Sequence, residues 1–580
     1  MIETLIVWVF LFINAFVLGY EIQEIYAKLI KNYKIDYDIS WIVGIAVLTV
    51  YAQIFSIFFP VGINAFIIVN GISILLIIKN RKVFLVMYKK IYSFSLEEYI
   101  FVFIIGLVIL YFTSISPDFY DTYLYHAQAV HWIEDYGCVK GIANVNSRIG
   151  FNSSAFSLYA LFSMKYFFAK SMHSVNGFCA LCGMFFAIRK ILHFGKLEYR
   201  FSHMMCGVLL LYIGIAGPFT PYSYLSSLSP DYIANIIVGI IIIKYIEYVE
   251  KGSFDLINKI ELFSLILIWV STIKISMIFF VLISVIPLYE KFIRRKWRNI
   301  IFWIASGIVI WLPFLFRNII ISGYIIYPVS QLNWFDVTWK VKEEIVKAEA
   351  NSIYSWARCP KASLDSTIGV GVAEWFPLWW NYYGFQTKML FVGGILSIFL
   401  FIVITCLFYK NNMMWNCYLI LGVTLVANAL YWFFSAPDIR FCYVPLCELI
   451  MYGLYMVLFN LPTNYMMPLV NKIKKNEWIN GKNILIFFAL FIYVWNFLIL
   501  PKLTNEMNLP DLKSIIVHAG DYNSKDVEFD ETLGVKLYYP REMNDDQTGY
   551  YAFPGMVSSS VLEQIELMGN DYKDGFMAKE

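Results

Sequence analysis

Charge is what this chain has least of. Asp, Glu, Lys and Arg supply 15% of its 580 residues, where a soluble domain carries roughly 25%. The shortfall excludes an ordinary water-soluble enzyme. A glycine-rich nucleotide loop is missing as well, which turns attention away from nucleotide-linked donors. There is no internal repeat, no low-complexity tract and no soluble cytoplasmic domain in the pattern. The opening "MIETLIVWVFLFINAFVLGY" lacks a basic leader and a small-residue cleavage site, so it reads as a first membrane span and not a removable signal. Nine cysteines form no framework. Cys179 and Cys182 make a CxxC inside the apolar run "GFCALCGMFFAI", where packing between helices is the expectation and zinc is not. Cys138 and Cys359 form a disulfide only if their loops share an oxidising side. The net charge of +3 sorts by loop and not by sum in such a chain, and no nucleic-acid partner is expected.

What is there instead is hydrophobicity, at 59% of residues, with 19% aromatic. Apolar runs of span length recur along nearly the whole chain. Spans are expected near 4–20, 41–59, 62–78, 99–115, 173–189, 203–219, 231–249, 259–273, 275–289, 300–316, 389–409, 415–435, 441–459 and 484–501. The fold class is therefore an all-α polytopic membrane protein with about fourteen transmembrane helices. The run 259–289 is split at "STIKIS", around Lys274. Basic clusters at Lys79, Arg81, Lys82, Lys89 and Lys90, at Lys291, Arg294, Arg295, Lys296 and Arg298, and at Lys472, Lys474, Lys475 and Lys482 all fall on one side when the spans alternate. By the positive-inside tendency that side is cytoplasmic. The loops 116–172 and 317–388, the turns at 220–230, Lys274 and 436–440, and the tail 502–580 then lie outside. The tail alternates β-branched runs with acidic turns and reads as a small, partly folded α+β segment. The division follows: N-terminal helices 1–98, a core 99–460, a basic loop and last helix 461–501, and the tail 502–580.

Charged residues near hydrocarbon are expensive and tend to mark sites. Here they are Asp118, Asp121, Asp231, Lys274, Arg317, Asp438 and Arg440, and the topology puts every one at an outer helix end. Singly, each has a plain structural reading: Arg317 and Arg440 as interface anchors, Asp231 after Ser229-Pro230 as a helix start, and the strip "YDTYLYHAQAVHWIEDYG" as an interfacial amphipathic helix. Together they suit a pocket for an anionic group, with Lys274, Arg317 and Arg440 on phosphate and a carboxylate as base. On an α-helix, Asp121, Tyr125, Gln128 and Trp132 share a face, a set suited to gripping a sugar. His126 and His131 then point elsewhere, His131 toward Asp135, although His126 beside Tyr125 keeps a place among the binding candidates. Trp375, Trp379 and Trp380 either cover an acceptor or rest in the membrane interface.

These blocks resemble the GT-C superfamily of membrane glycosyltransferases, which includes protein O-mannosyltransferases and aminoarabinose transferases. "DTYLYHAQAVHWIEDYG" is similar to its acidic first outer loop, with Asp121 at the acidic position. Pro230-Asp231, Lys274 in "TIK", Arg317-Asn318 with Ser322-Gly323 and Tyr327-Pro328, and Pro437 with Arg440-Phe441 resemble its later motifs, in the same order over roughly 99–460. "GFNSSAF" and the terminal "KDGF" also resemble a family of bacterial membrane proteins that names no substrate. The resemblance implies a GT-C-like bundle that transfers a sugar, with inversion, from a polyprenyl-phosphate-linked donor. The acceptor would be a glycan, lipid or protein at the outer face of the bacterial cytoplasmic membrane, with the surrounding bilayer as a further partner. It implies Asp121 as general base, Lys274, Arg317 and Arg440 on the donor phosphate, and Asp118, Tyr125, His126, Gln128, Asp231 and Asp438 around donor and acceptor. A divalent cation (Mg or Mn) is implied only if two carboxylates meet. Family members often carry adjacent acids where this chain has Asp121-Thr122, so Asp118, Asp121 and Asp231 are the metal candidates. A polysaccharide polymerase or ligase, a lipid-linked-sugar flippase and a non-catalytic assembly protein remain open as other readings.

Overall fold

The computed structural model describes the chain except residues 83–84, 87–88, 90–94, 194–200, 217–223, 254, 364–365, 461–480, 495–510, 543 and 580. Lys90, Lys472, Lys474 and Lys475, the first part of the turn 220–230, the end of the last expected span and the start of the tail lie outside the described residues.

Among the described residues, ten helices are long and apolar enough to cross a membrane: Ile2–Leu29, Ser40–Phe58, Leu96–Thr113, Val175–Leu192, Pro230–Lys251, Leu256–Ile273, Ile275–Ile293, Trp297–Ser322, Phe385–Phe408 and Met413–Ser435. Four shorter apolar helices, Ile63–Lys79, Phe201–Gly214, Tyr443–Leu458 and Gly481–Phe491, lie where the other expected spans were placed. Without a polar face to turn to water, these segments satisfy their backbone internally and meet one another through side chains. Pro230–Lys251 and Leu256–Ile273 form the centre, with 94% and 89% of their most apolar windows buried, whereas Trp297–Ser322, at 11%, runs along the outside of the bundle. The expected break falls at Lys274, whose extended backbone (φ −141°, ψ 110°) separates Leu256–Ile273 from the helical run starting at Ile275.

Charge separates the two ends of the bundle. One end gathers Lys244 on Asp36 (2.8 Å), Lys190 on Glu247 (2.6 Å), Arg189 on Glu98 (3.1 Å), Lys482 on Glu97 (3.0 Å) and Lys291 on Glu261. The other end gathers the loop 116–172, Lys274, the turn at Asp438 and the tail. There the Val61 N–H donates to the Ile133 carbonyl (2.9 Å), and the Gly520 N–H donates to that of Ser114 (2.6 Å). Glu3, in the first turn of the first helix, accepts from the Ala519 N–H (2.9 Å) and pairs with Lys170 (2.9 Å). Gly137 ends the helix Ala127–Asp135 with φ +78°, and a side chain there would strike the Ser56 carbonyl at 2.6 Å. Only glycine combines that φ with so close an approach.

The tail carries two antiparallel strand pairs, Val527–Asp530 with Leu537–Pro540 and Ile565–Leu567 with Phe576–Ala578. It is clamped onto the loop 116–172. Gln128 donates to the Gly549 and Ala552 carbonyls (2.6 and 2.9 Å) and accepts from the Gly555 N–H (2.9 Å). The His131 ring stacks on Tyr550 and Phe553, with centroids 4.3 and 3.8 Å away. Tyr550 in turn donates its hydroxyl to buried Glu134 (2.5 Å).

Candidate functional site

The strip that dominates the sequence does not continue as an α-helix. Residues Thr122–His126 form a π turn, in which the Ala127 N–H reaches back five residues to the Thr122 carbonyl, and α-helix resumes at Ala127–Asp135. π turns of this kind are frequent at functional sites. The extra residue shifts every position after it. Asp121 and Tyr125 stay beside one another, but Gln128 and Trp132 swing to the tail, Trp132 packing on Phe553 (4.8 Å) and Tyr136 (5.3 Å). The four-residue wall expected from α-helical spacing is therefore not formed. His126, expected to point away, instead shares its surroundings with Asp121, Asp231, Lys274 and Arg440.

The centre of the site is an ion-pair chain. Arg440 donates from Nη1 to Asp121 Oδ2 (3.0 Å), and its Nε lies 3.3 Å from Asp438 Oδ2. Asp438 also accepts the Arg440 backbone N–H through Oδ1 (3.0 Å). Lys274 Nζ sits 2.6 Å from Asp231 Oδ1 and 3.9 Å above the Phe441 ring centre. The side chains of Asp121, Arg440 and Lys274 are 19%, 22% and 26% exposed, whereas those of Asp231 and Asp438 are 7% and 10%. The first three thus form the open part of the site, and the other two hold the cations from beneath.

Each member is set by its element. Asn176 Nδ2 donates to the Ser227 and Ser229 carbonyls (both 3.0 Å), fixing the chain where Pro230 opens its helix and aims Asp231. Asn235 Nδ2 donates to the Asp231 and Arg440 carbonyls (2.8 and 3.2 Å), and its Oδ1 accepts from the Val444 N–H (3.2 Å). It thereby ties Arg440 to the central helix. The turn before Arg440 hangs from two indoles, Trp379 on the Pro437 carbonyl (2.8 Å) and Trp432 on that of Asp438 (2.7 Å). Ser153 Oγ donates to the Ile273 carbonyl (2.8 Å), next to Lys274.

Electrostatics follows from this packing. Burial pushes the Asp121 carboxyl up, but Arg440 above all, with His126, Arg148 and Lys274, overrides it and holds Asp121 below the ordinary range. For Asp438 burial prevails over Arg440, and Asp231 adds to it, so the carboxyl sits above its ordinary value. Burial lowers His126 to about 4 against the pull of Asp121 and Asp231, so its ring is neutral at pH 7. Burial raises the Tyr125 phenol well above its usual value, and Asp121 adds to that.

Sequence reasoning missed three members. Arg148, in "NSRIGF", acts on Asp121 and lies 3.9 Å from Glu349, which accepts from Ser147 Oγ (2.6 Å). Glu349 sits on the helix Glu343–Arg358, and this helix also supplies Trp356. The Trp356 ring, 47% exposed, has the Arg440 guanidinium 5.0 Å from its centroid. Arg148 lies in a short turn without periodicity, and the periodicity of the helix Glu343–Arg358 does not show where in the molecule it docks. The available signal was only the presence of Arg, Glu and Trp in long loops on the charged side.

Five expected members lie elsewhere. Gln128 is occupied by the tail, and the charge that acts on Asp118 is Lys525 of the tail, against a burial that raises its carboxyl. Arg317 is not among the groups acting on Asp121; it is buried beside Ser56 and Asn152. Trp375 and Trp379 are buried against Phe433 and Trp432 instead of lying in an interface or over a ligand. Cys138 and Cys359 are both free thiols. Among the described residues no three His, Cys, Asp or Glu side chains gather to hold a metal ion. With Asp118 apart and Asp121 and Asp231 each on a cation, the donor set does not fit a divalent metal.

A family model described as Domain of unknown function (DUF8201) matches residues 1–447. No curated protein matches the chain, and no solved structure does.

Proposed function

The chain belongs to the DUF8201 family, and from the chemistry of the site we propose that it is a membrane glycosyltransferase of GT-C-like architecture. It takes a sugar from a polyprenyl-phosphate-linked donor and transfers it, with inversion, to a glycan, lipid or protein acceptor at the outer face of a bacterial cytoplasmic membrane. The observation that carries the reading is the Asp121–Arg440 pair beside Lys274–Asp231, open to ligand at one end of an apolar bundle.

Three carboxylates (Asp121, Asp231, Asp438) face three cations (Lys274, Arg440, Arg148) in the site. An arriving phosphate competes with Asp121 for Arg440. Once Arg440 turns to phosphate, Asp121 loses its strongest stabilising partner and its basicity rises, so donor binding readies the base. Asp121 then takes the acceptor hydroxyl proton while the acceptor oxygen bonds to the anomeric carbon. The carbon–oxygen bond to phosphate breaks on the opposite face, and its electron pair leaves with the polyprenyl phosphate. Lys274 and Arg440 stabilise the charge that grows there. The exposed Trp356 ring offers an apolar face to a sugar, and Tyr125 a phenol near Asp121. A flippase would distribute charge along a path through the membrane, whereas this cluster keeps to one end.

Asp121→Asn keeps the size and removes the base. Expressed in the native host, it should reduce transfer by about 10²–10⁴-fold, the usual contribution of a general base. Lipid-linked sugar should accumulate and the surface glycan should fall. Unchanged glycan at normal protein level would overturn the proposal, and movement of an unconsumed lipid-linked sugar across liposomes would favour the flippase.

A further inference from the structure

Arg317 poses a separate problem. It sits near the end of the helix Trp297–Ser322 and is 2% exposed. Its Nε donates to Asn152 Oδ1 (3.1 Å) and its Nη1 to Ser56 Oγ. Both acceptors are neutral. Asn152 spends its amide nitrogen on Asn318 Oδ1 (2.9 Å) and the Phe314 carbonyl (3.4 Å). Among the described residues no carboxylate pairs with this guanidinium, and the titratable group whose charge acts on it is Cys138. Burial raises the Cys138 thiol above its ordinary range, so it stays uncharged at pH 7. A guanidinium does not give up its proton, and a buried charge without a partner is costly.

Arg317 lines a small cavity of about 10 Å³, with room for about one water-sized sphere, together with Ala129, Trp132, Ile133, Phe156 and Ile321. Trp132 is 2% exposed, and its indole N–H has no hydrogen-bond partner among the described residues. One cavity thus brings together a buried cation without a counter-charge and a buried donor without an acceptor. Three residues before Ser56 on the same helix, Gln53 is also wholly buried, with neither amide atom paired among the described residues. Phe156 stands between this cavity and the Asp121 cluster, its ring 5.3 Å from that of His126.

We infer that this cavity binds a weakly hydrated monovalent anion, a halide with chloride as the physiological case, between the Arg317 guanidinium and the Trp132 indole N–H. A phosphate is disfavoured because its doubly charged oxygens need many donors, and apart from Arg317 and Asn152 the lining offers apolar side chains and one indole. A halide accepts two donors and tolerates hydrocarbon on its other sides. Bound there, it joins the outer helix Trp297–Ser322, the helix Ser40–Phe58 through Ser56, and the loop 116–172 through Trp132 and Asn152. The site is independent of Asp121.

The full-length protein in nanodiscs, melted in sodium gluconate with increasing chloride or bromide at constant ionic strength, tests this. The melting temperature should rise by about 2 °C and saturate, while equal phosphate leaves it unchanged. Trp132→Phe keeps the packing and should raise the half-saturating chloride concentration by about tenfold. Arg317→Gln should abolish the response, and Asp121→Asn should keep it. Anomalous scattering from bromide in the cavity would place the ion. The inference fails if Arg317→Gln still responds to chloride, if phosphate stabilises as well as chloride, or if the wild type does not respond. Should Arg317→Gln not fold, Trp132→Phe decides: an unshifted half-saturation overturns the assignment.

Discussion

At the scale of single residues, Asp121 is poised by its neighbours. Its carboxyl lies below the ordinary range because Arg440 outweighs burial, so in the free protein it is ionised throughout the neutral range. Activity limited by Asp121 should therefore hold level through pH 5–8 and fall only under stronger acid, which a pH–rate profile checks. His126 acts on stability instead. Its folded pKa of about 4 lies below the ordinary 6.5, so between those values the unfolded chain binds a proton that the folded one refuses. Its contribution is intact above pH 6.5 and is lost as pH falls to 4, amounting to about 3 kcal/mol at most. His126→Phe should flatten the wild-type loss of melting temperature between pH 6.5 and 4. An equally steep loss in that variant would mean the group lies elsewhere. Asp438 touches Arg440 and no exposed surface of the site, so it acts as a positioning residue. Asp438→Asn should lower turnover more than it weakens donor binding, read as a split between kcat and KM.

At the scale of elements, the π turn decides which side chains serve the site and which serve the tail. Deleting Thr122 would let the strip close as an ordinary α-helix, turning everything after it by about 100° relative to Asp121. Gln128 and His131 would then no longer face the tail. The variant should lose both activity and tail docking while its far-ultraviolet helical signal stays. The docking itself rests on the three hydrogen bonds of Gln128 and on the His131 ring between Tyr550 and Phe553. Gln128→Ala leaves two carbonyls and one N–H of the tail unpaired and should cost about 1–3 kcal/mol locally. Limited proteolysis should then cut within 511–579 faster than in the wild type, with the helical bundle intact.

At the scale of the whole molecule, the two ends differ in what they gather. Buried ion pairs such as Lys244–Asp36, Lys190–Glu247 and Lys291–Glu261 gather at one end, while the loops, the first residues of the chain and the tail share the other. A single cysteine in place of Lys525 should be labelled by an impermeant maleimide in intact spheroplasts, and one at Arg294 only after permeabilisation. Labelling of both from one side would separate the site from the topology on which its chemistry rests.

The sequence by itself determined that this is a helical membrane protein and where its apolar helices run, because hydrocarbon tolerates few alternatives to long apolar helices. It also marked Asp121, Asp231, Lys274, Asp438 and Arg440, since charge at a membrane boundary is scarce enough to be conspicuous. Which of these meet was decided only by tertiary structure. One extra residue in a helical turn is invisible to periodicity, yet it sent Gln128 to the tail and brought His126 to Asp121. Arg317 looked like Arg440 in the sequence, and packing alone gave one of them carboxylates and the other an apolar cavity. Arg148 reaches the site from a short turn of the loop 116–172, and Glu349 and Trp356 from the helix Glu343–Arg358 of the loop 317–388, whose position follows from contacts distant in the chain.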